Sequence, residues 1–109
     1  MITEQFIDHK IKQISAYIHA VIEDKIHYIE LDQFVIDTMA EWTLLHVTDE
    51  TPHSAEERVF WHLIYELSLH GSLALKQNLF FKSGINTCLT FLKGTGSYPI
   101  DCIGWRPLP

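Results

Sequence analysis

Three polar residues on one predicted helix have the types and spacing that metal ligands require. His62, Glu66 and His70 follow one another at intervals of four, so neighbouring side chains lie one turn apart on the same face. The two histidines are about 12 Å apart along the axis, at about 1.5 Å per residue, so all three cannot reach one ion. A metal site therefore needs a further ligand from another helix. The candidates are Asp37, Glu41 and His46.

A structural explanation of these three residues is the preferred one. The chain contains no HExxH motif and no pair of ExxH motifs on two helices. His62 and Glu66 can lie on the solvated side, and His70 falls near a helix C-terminus, where a cation is favoured. A metal-binding bundle or metal-dependent enzyme is kept as the second hypothesis. The absence of a GxSxG motif leaves no residue assigned as catalytic, and no cofactor is expected.

Acidic side chains are concentrated in one part of the chain, whose net charge is -6. Residues 26–57 contain eight Asp and Glu and no Lys or Arg, whereas residues 67–109 contain four Lys and Arg and one acid. Such a field attracts basic partners and repels nucleic acid. The simpler interpretation is a solvated face that maintains solubility. The acidic residues that we expect to contact a basic partner are Asp37, Glu41, Asp49, Glu50 and Glu57.

The same helix that carries the histidines is apolar on two sides. One stripe has the spacing of a core face, with Phe60, Leu63, Ile64 and Leu67. The second stripe consists of Trp61, Tyr65 and Leu69, spaced by four. A helix of this kind either is central in the fold or meets a partner. The second stripe is therefore the predicted interface for a partner, for a second copy in a homodimer, or for the C-terminal tail.

The remaining elements predict an all-α fold in a single domain that spans residues 1–109. A first helix is indicated within residues 3–26, a second over 31–46 and a third over 55–70. Ser54 and Glu57 have the spacing of a capping box at the start of the third. A further helix is expected over 72–82, a break at Ser83 and Gly84, and a last helix over 85–92 that Gly94 ends. We expect a compact bundle of four to five helices, with an irregular tail, residues 95–109, that contains three prolines and packs on it.

Composition narrows the function classes. Of the 109 residues, 47% are hydrophobic and 20% charged, which is typical of a globular domain. No apolar run is long enough for a membrane span, and no signal peptide is evident. Cys88 and Cys102 do not form a CxxC motif, so a reducing, cytoplasmic compartment is expected. Their pairing stays open.

The leading hypothesis is a small acidic protein-binding module without enzyme activity. An immunity protein or inhibitor that neutralises a basic partner, such as a nuclease toxin, is an example of this class, because such a toxin carries a basic nucleic-acid site. Neither nucleic acid nor a membrane is expected as a ligand. A regulatory homodimer remains an alternative.

Overall fold

The computed structural model describes residues 3–48, 51–52, 54–99 and 104–107. Within these ranges the chain forms helices and no strand, which confirms the predicted all-α bundle. None of the described helices has the length and apolar character needed to cross a bilayer. The helices are α1 (Thr3–Ile22), α2 (Tyr28–Leu44), α3 (Ala55–His70), α4 (Ala74–Gln77) and α5 (Leu79–Leu92).

Helix α1 presents one apolar face to the core. Ile14 and Ile18 are fully buried on this face. Lys10 is buried on the same side, with its Nζ 5.2 Å from the ring centroid of Phe34 on α2. The ammonium group also forms an ion pair with Glu41 of α2. Burial of the apolar stem with a paired charge at its end therefore joins α1 to α2.

Helix α3 is the central helix of the bundle and contacts α1, α2 and α5. Its first turn is capped by Ser54, whose hydroxyl accepts a hydrogen bond of 3.0 Å from the backbone N–H of Glu57. At its end, Gly71 has φ of 79°, and its N–H donates to the carbonyl of Leu67. The fully or almost fully buried apolar side chains of α3 are Val59, Phe60, Trp61, Leu63, Ile64 and Leu67. Contact with three helices explains why α3 is apolar on more than one side.

The break between the last helices lies at Asn78, five to six residues earlier than the predicted break at Ser83 and Gly84. The predicted helix over residues 72–82 is wrong, because the chain leaves helical geometry at Asn78. The Asn78 carboxamide oxygen accepts a 3.0 Å hydrogen bond from the N–H of Phe81 and so caps α5. Helix α5 then continues through Gly84. A glycine inside a helix lowers the stability of the helix by only about 1 kcal/mol relative to alanine. Burial of Ile85 on the same helix offsets this loss.

Residues 104–107 of the C-terminal tail lie against α3. A Cβ at Gly104 would overlap the carbonyl oxygen of Arg58 and would lie 2.7 Å from the backbone nitrogen of His62. Only glycine therefore allows the tail backbone to approach the helix backbone this closely. Trp105 is half exposed and has the Arg58 guanidinium over its ring at 5.8 Å. Arg106, in contrast, is 3% exposed and points into the bundle.

Candidate functional site

An acidic cleft lies where the N-terminal turns of α1 and α3 come together. Its volume is about 510 Å³. Neither Lys nor Arg occurs among the described residues that line it. Carboxylates are favoured at helix N-termini, because the peptide dipoles place positive charge there. The cleft is lined by Glu4, Ile7, Asp8, Ser54, Glu56 and Glu57.

Three of these carboxylates face solvent and can meet an incoming cation. Glu4 and Asp8 are exposed and lie four residues apart in α1, so their side chains occupy the same face. Glu56 is exposed in the first turn of α3. Sequence reasoning missed Glu4 and Asp8, since they lie outside the acidic segment of residues 26–57. No sequence signal shows that α1 and α3 start at the same end of the bundle.

Next to this cleft, Glu57 belongs to a buried site that the Arg106 side chain fills, and this site is called the pocket below. Its side chain is 3% exposed, and its Oε2 accepts a 2.9 Å hydrogen bond from Trp61 Nε1. Arg106 donates to the same carboxylate twice, from Nε to Oε2 at 2.6 Å and from Nη2 to Oε1 at 2.9 Å. The Arg106 Cζ atom lies 5.4 Å from the ring centroid of Trp42, and Trp42 contacts Trp61 edge to face at 5.0 Å. A guanidinium ion is thus held by a two-point ion pair and an aromatic ring.

The acidic residues predicted to contact a partner have different positions. Asp37 is exposed on α2. Glu41 is half exposed and forms the ion pair with the lysine of α1. Glu57, which is also predicted to contact a partner, is not exposed on the surface, because it is paired with the Arg106 guanidinium inside the bundle. Asp49 and Glu50 lie outside the described residues.

The predicted apolar stripe of Trp61, Tyr65 and Leu69 does not form one continuous surface. Trp61 is fully buried, which corrects the expectation that it meets a partner. The side chains that cover Trp61 are Trp42 on α2 and Phe60 on α3. Tyr65 is half buried, and loss of hydration raises the pKa of its hydroxyl above 10.0. Leu69 is 77% exposed and is the only member of the stripe on the open surface.

The predicted metal ligands form a short chain of contacts along α3. His62 Nε2 is 4.0 Å from Glu66 Oε1, and His70 Nε2 is 3.3 Å from Glu66 Oε2. Among the described residues, no three His, Cys, Asp or Glu side chains are grouped so that they could hold a metal ion. Of the candidate ligands outside α3, Glu41 is paired with Lys10 of α1. Cys88 is buried in α5, and Cys102 lies outside the described residues.

Comparisons of this chain with protein-family models, with curated proteins and with solved structures found no match. Helical bundles host many unrelated activities, so the fold by itself does not assign one. Function must therefore be inferred from the two adjoining features described above, the acidic cleft and the pocket around Glu57.

Proposed function

We propose that this protein is a binding module that captures a basic protein partner in the acidic cleft between α1 and α3. The observation that carries the proposal is the grouping of Glu4, Asp8 and Glu56 around one recess of about 510 Å³. These carboxylates are exposed, and the described lining offers no basic side chain to neutralise them. A Lys or Arg side chain of a partner gains charge-assisted hydrogen bonds there.

The charge of the whole chain supports the same partner class. The net charge is -6, and residues 26–57 have no Lys or Arg. Exposed acids on α2, such as Glu30 and Asp37, extend the negative field beyond the cleft. Such a field accelerates encounter with a basic partner and disfavours nucleic acid. A nuclease toxin is a fitting example, because covering its basic site excludes its substrate, and an immunity protein would act in this way.

The contribution of the cleft to the binding free energy can be estimated from the known energies of exposed ion pairs. Each is worth about 0.2–1 kcal/mol, so three in the cleft contribute about 0.6–3 kcal/mol, or roughly a threefold to hundredfold change in Kd. Their contribution decreases with salt, because mobile ions screen exposed charges. The cleft therefore supplies steering and orientation, and tight binding needs additional buried contacts.

A binding assay with two variants of equal charge tests the proposal. The probe is a fluorescent, lysine-rich peptide, and its Kd is measured by anisotropy at low and at high salt. The cleft variant is Glu4→Gln, Asp8→Asn and Glu56→Gln. The control variant, changed at exposed sites away from the cleft, is Glu23→Gln, Glu30→Gln and Asp37→Asn.

The two variants lose the same number of negative charges, so only the position of the charges differs. We expect the cleft variant to raise Kd about tenfold at low salt, and the control less than about threefold. Circular dichroism and the urea midpoint of both variants should match those of the unmodified protein. Equal weakening by the two variants would mean that the probe senses total charge and would contradict a binding site in the cleft.

A further inference from the structure

We propose that the pocket formed by Glu57, Trp42 and Trp61 is an arginine-binding site. The chain's own Arg106 occupies it, and an arginine of the basic partner takes its place when the partner docks. This inference rests on the proposed function and deepens it, because it names the side chain that anchors the partner. In this proposal, the C-terminal tail competes with the partner for the same pocket.

The geometry of the pocket fits a guanidinium group in particular. Two nitrogens of Arg106 donate to the two oxygens of Glu57, at 2.6 and 2.9 Å. Trp61 Nε1 holds the same carboxylate from a third direction at 2.9 Å, which fixes its orientation for the incoming fork. A planar guanidinium satisfies this two-point arrangement and stacks on Trp42. The compact ammonium group of lysine cannot donate two parallel hydrogen bonds in the same way.

The present occupant comes from a segment that can leave without disrupting a helix. Residues 104–107 carry no helix, and they lie across α3 as a bound peptide would. Trp105 remains 49% exposed. The position of Arg106 depends on Gly104, whose close approach to Arg58 lets the tail reach the pocket. An exchange of arginines therefore replaces one peptide segment with another.

The pocket adjoins the place where a basic partner is attracted. Glu57 lines the acidic cleft together with Glu4, Asp8 and Glu56, so the same carboxylate belongs to both features. When one guanidinium replaces the other, Glu57 is again paired at the end of the exchange. The exchange therefore avoids the large loss of stability that follows when a buried charge is left without a counter-charge.

Tethering makes the exchange selective. A tail joined to the same chain has an effective concentration in the millimolar range, so free arginine in dilute solution does not displace it. A partner that is already held in the acidic cleft gains the same advantage, because its arginine then acts as a tethered ligand too. Only a partner that satisfies both features therefore releases the tail.

The first test uses the full chain with Gly104→Ala, which obstructs the tail and leaves Glu57 and Arg106 unchanged. The probe is the blocked tetrapeptide Gly-Trp-Arg-Pro, the sequence of residues 104–107. Two matched probes have lysine or citrulline in place of arginine; citrulline preserves the shape and removes the charge. The second variant adds Glu57→Gln to Gly104→Ala.

We expect Gly104→Ala to bind the arginine peptide at least about tenfold more tightly than the unmodified protein, because the competing tail is weakened. The lysine and citrulline peptides should bind at least about tenfold more weakly than the arginine peptide, and Glu57→Gln should remove the difference. Equal affinities for the three peptides, or no effect of Glu57→Gln, would overturn the proposal.

A second measurement uses the unmodified protein and does not depend on how any variant folds. The Nε–H group of Arg106 should give a distinct NMR signal, because it is buried and hydrogen-bonded to Glu57. A saturating amount of an arginine-rich peptide that binds in the cleft should move this signal to its solvent position. If the signal stays while the peptide saturates the cleft, the arginine exchange is refuted and the proposed function still stands. Loss of cleft binding itself would contradict the proposed function.

Discussion

Replacing Glu57 with Gln tests whether the tail is held by a buried charge pair. Gln has the same shape and retains an oxygen that can accept from Trp61 Nε1, but it leaves the buried Arg106 guanidinium without a counter-charge. Removal of one partner from a buried pair costs about 3–5 kcal/mol. Since a domain of this kind has a free energy of unfolding of about 5–15 kcal/mol, the loss is a large fraction of the total.

A double-mutant cycle separates this effect from loss of packing. Arg106→Met removes the charge and keeps most of the apolar volume, and the double variant with Glu57→Gln has no charge left at this site. We expect each single variant to cost about 3–5 kcal/mol and the double variant to cost clearly less than their sum. Urea unfolding followed by far-UV circular dichroism gives all four free energies.

An exposed ion pair provides the matched control. Lys25 and Glu23 are 3.0 Å apart, and both side chains are more than half exposed, so Lys25→Met should cost less than about 1 kcal/mol. If Glu57→Gln costs no more than Lys25→Met, or if the two single effects simply add, the pair is not buried and coupled as described.

Three other substitutions have defined expected outcomes. Ser54→Ala should lower the free energy of unfolding in urea by about 1 kcal/mol through loss of the α3 cap; no change would mean that the cap does not form. Gly84→Ala should raise it by about 0.5–1 kcal/mol, because the site is helical, exposed and open around its Cα; destabilisation would refute an unbroken α5. The folded-state pKa of Tyr65 is raised, so its contribution to stability is present below pH 10.0 and is lost as pH rises above it. Unfolding free energies should therefore fall less steeply above pH 10.0 in Tyr65→Phe than in the unmodified protein, and equal slopes would contradict the shift.

The parts of the fold that local interactions determine could be predicted from the sequence. The start of α3 depends on Ser54 and its end on Gly71, and both act within a few residues of themselves. The break before α5 was predicted wrongly, because the Asn78 cap competes with the helix-breaking tendency of Gly84 and prevails. To predict which of these two local effects prevails, one must know which face of α5 is buried.

The candidate site was less predictable, because it depends on contacts between distant residues. Glu57 has the spacing of a capping-box acid, but its partner Arg106 lies 49 residues further along the chain. The contribution of Glu4 and Asp8 depends on the packing of α1 beside the start of α3. Charge counting could not identify Glu4 and Asp8, because they lie outside the acidic segment of residues 26–57.

The location of a bound basic peptide is the most direct test of the acidic cleft. Amide NMR spectra of the unmodified protein, recorded during titration with the lysine-rich peptide, report this location residue by residue. The cleft predicts that the largest shifts occur at residues 4–8 and 54–57, and that high salt reverses them. Largest shifts along α2, Tyr28–Leu44, or along α5, Leu79–Leu92, would contradict a binding site in the cleft.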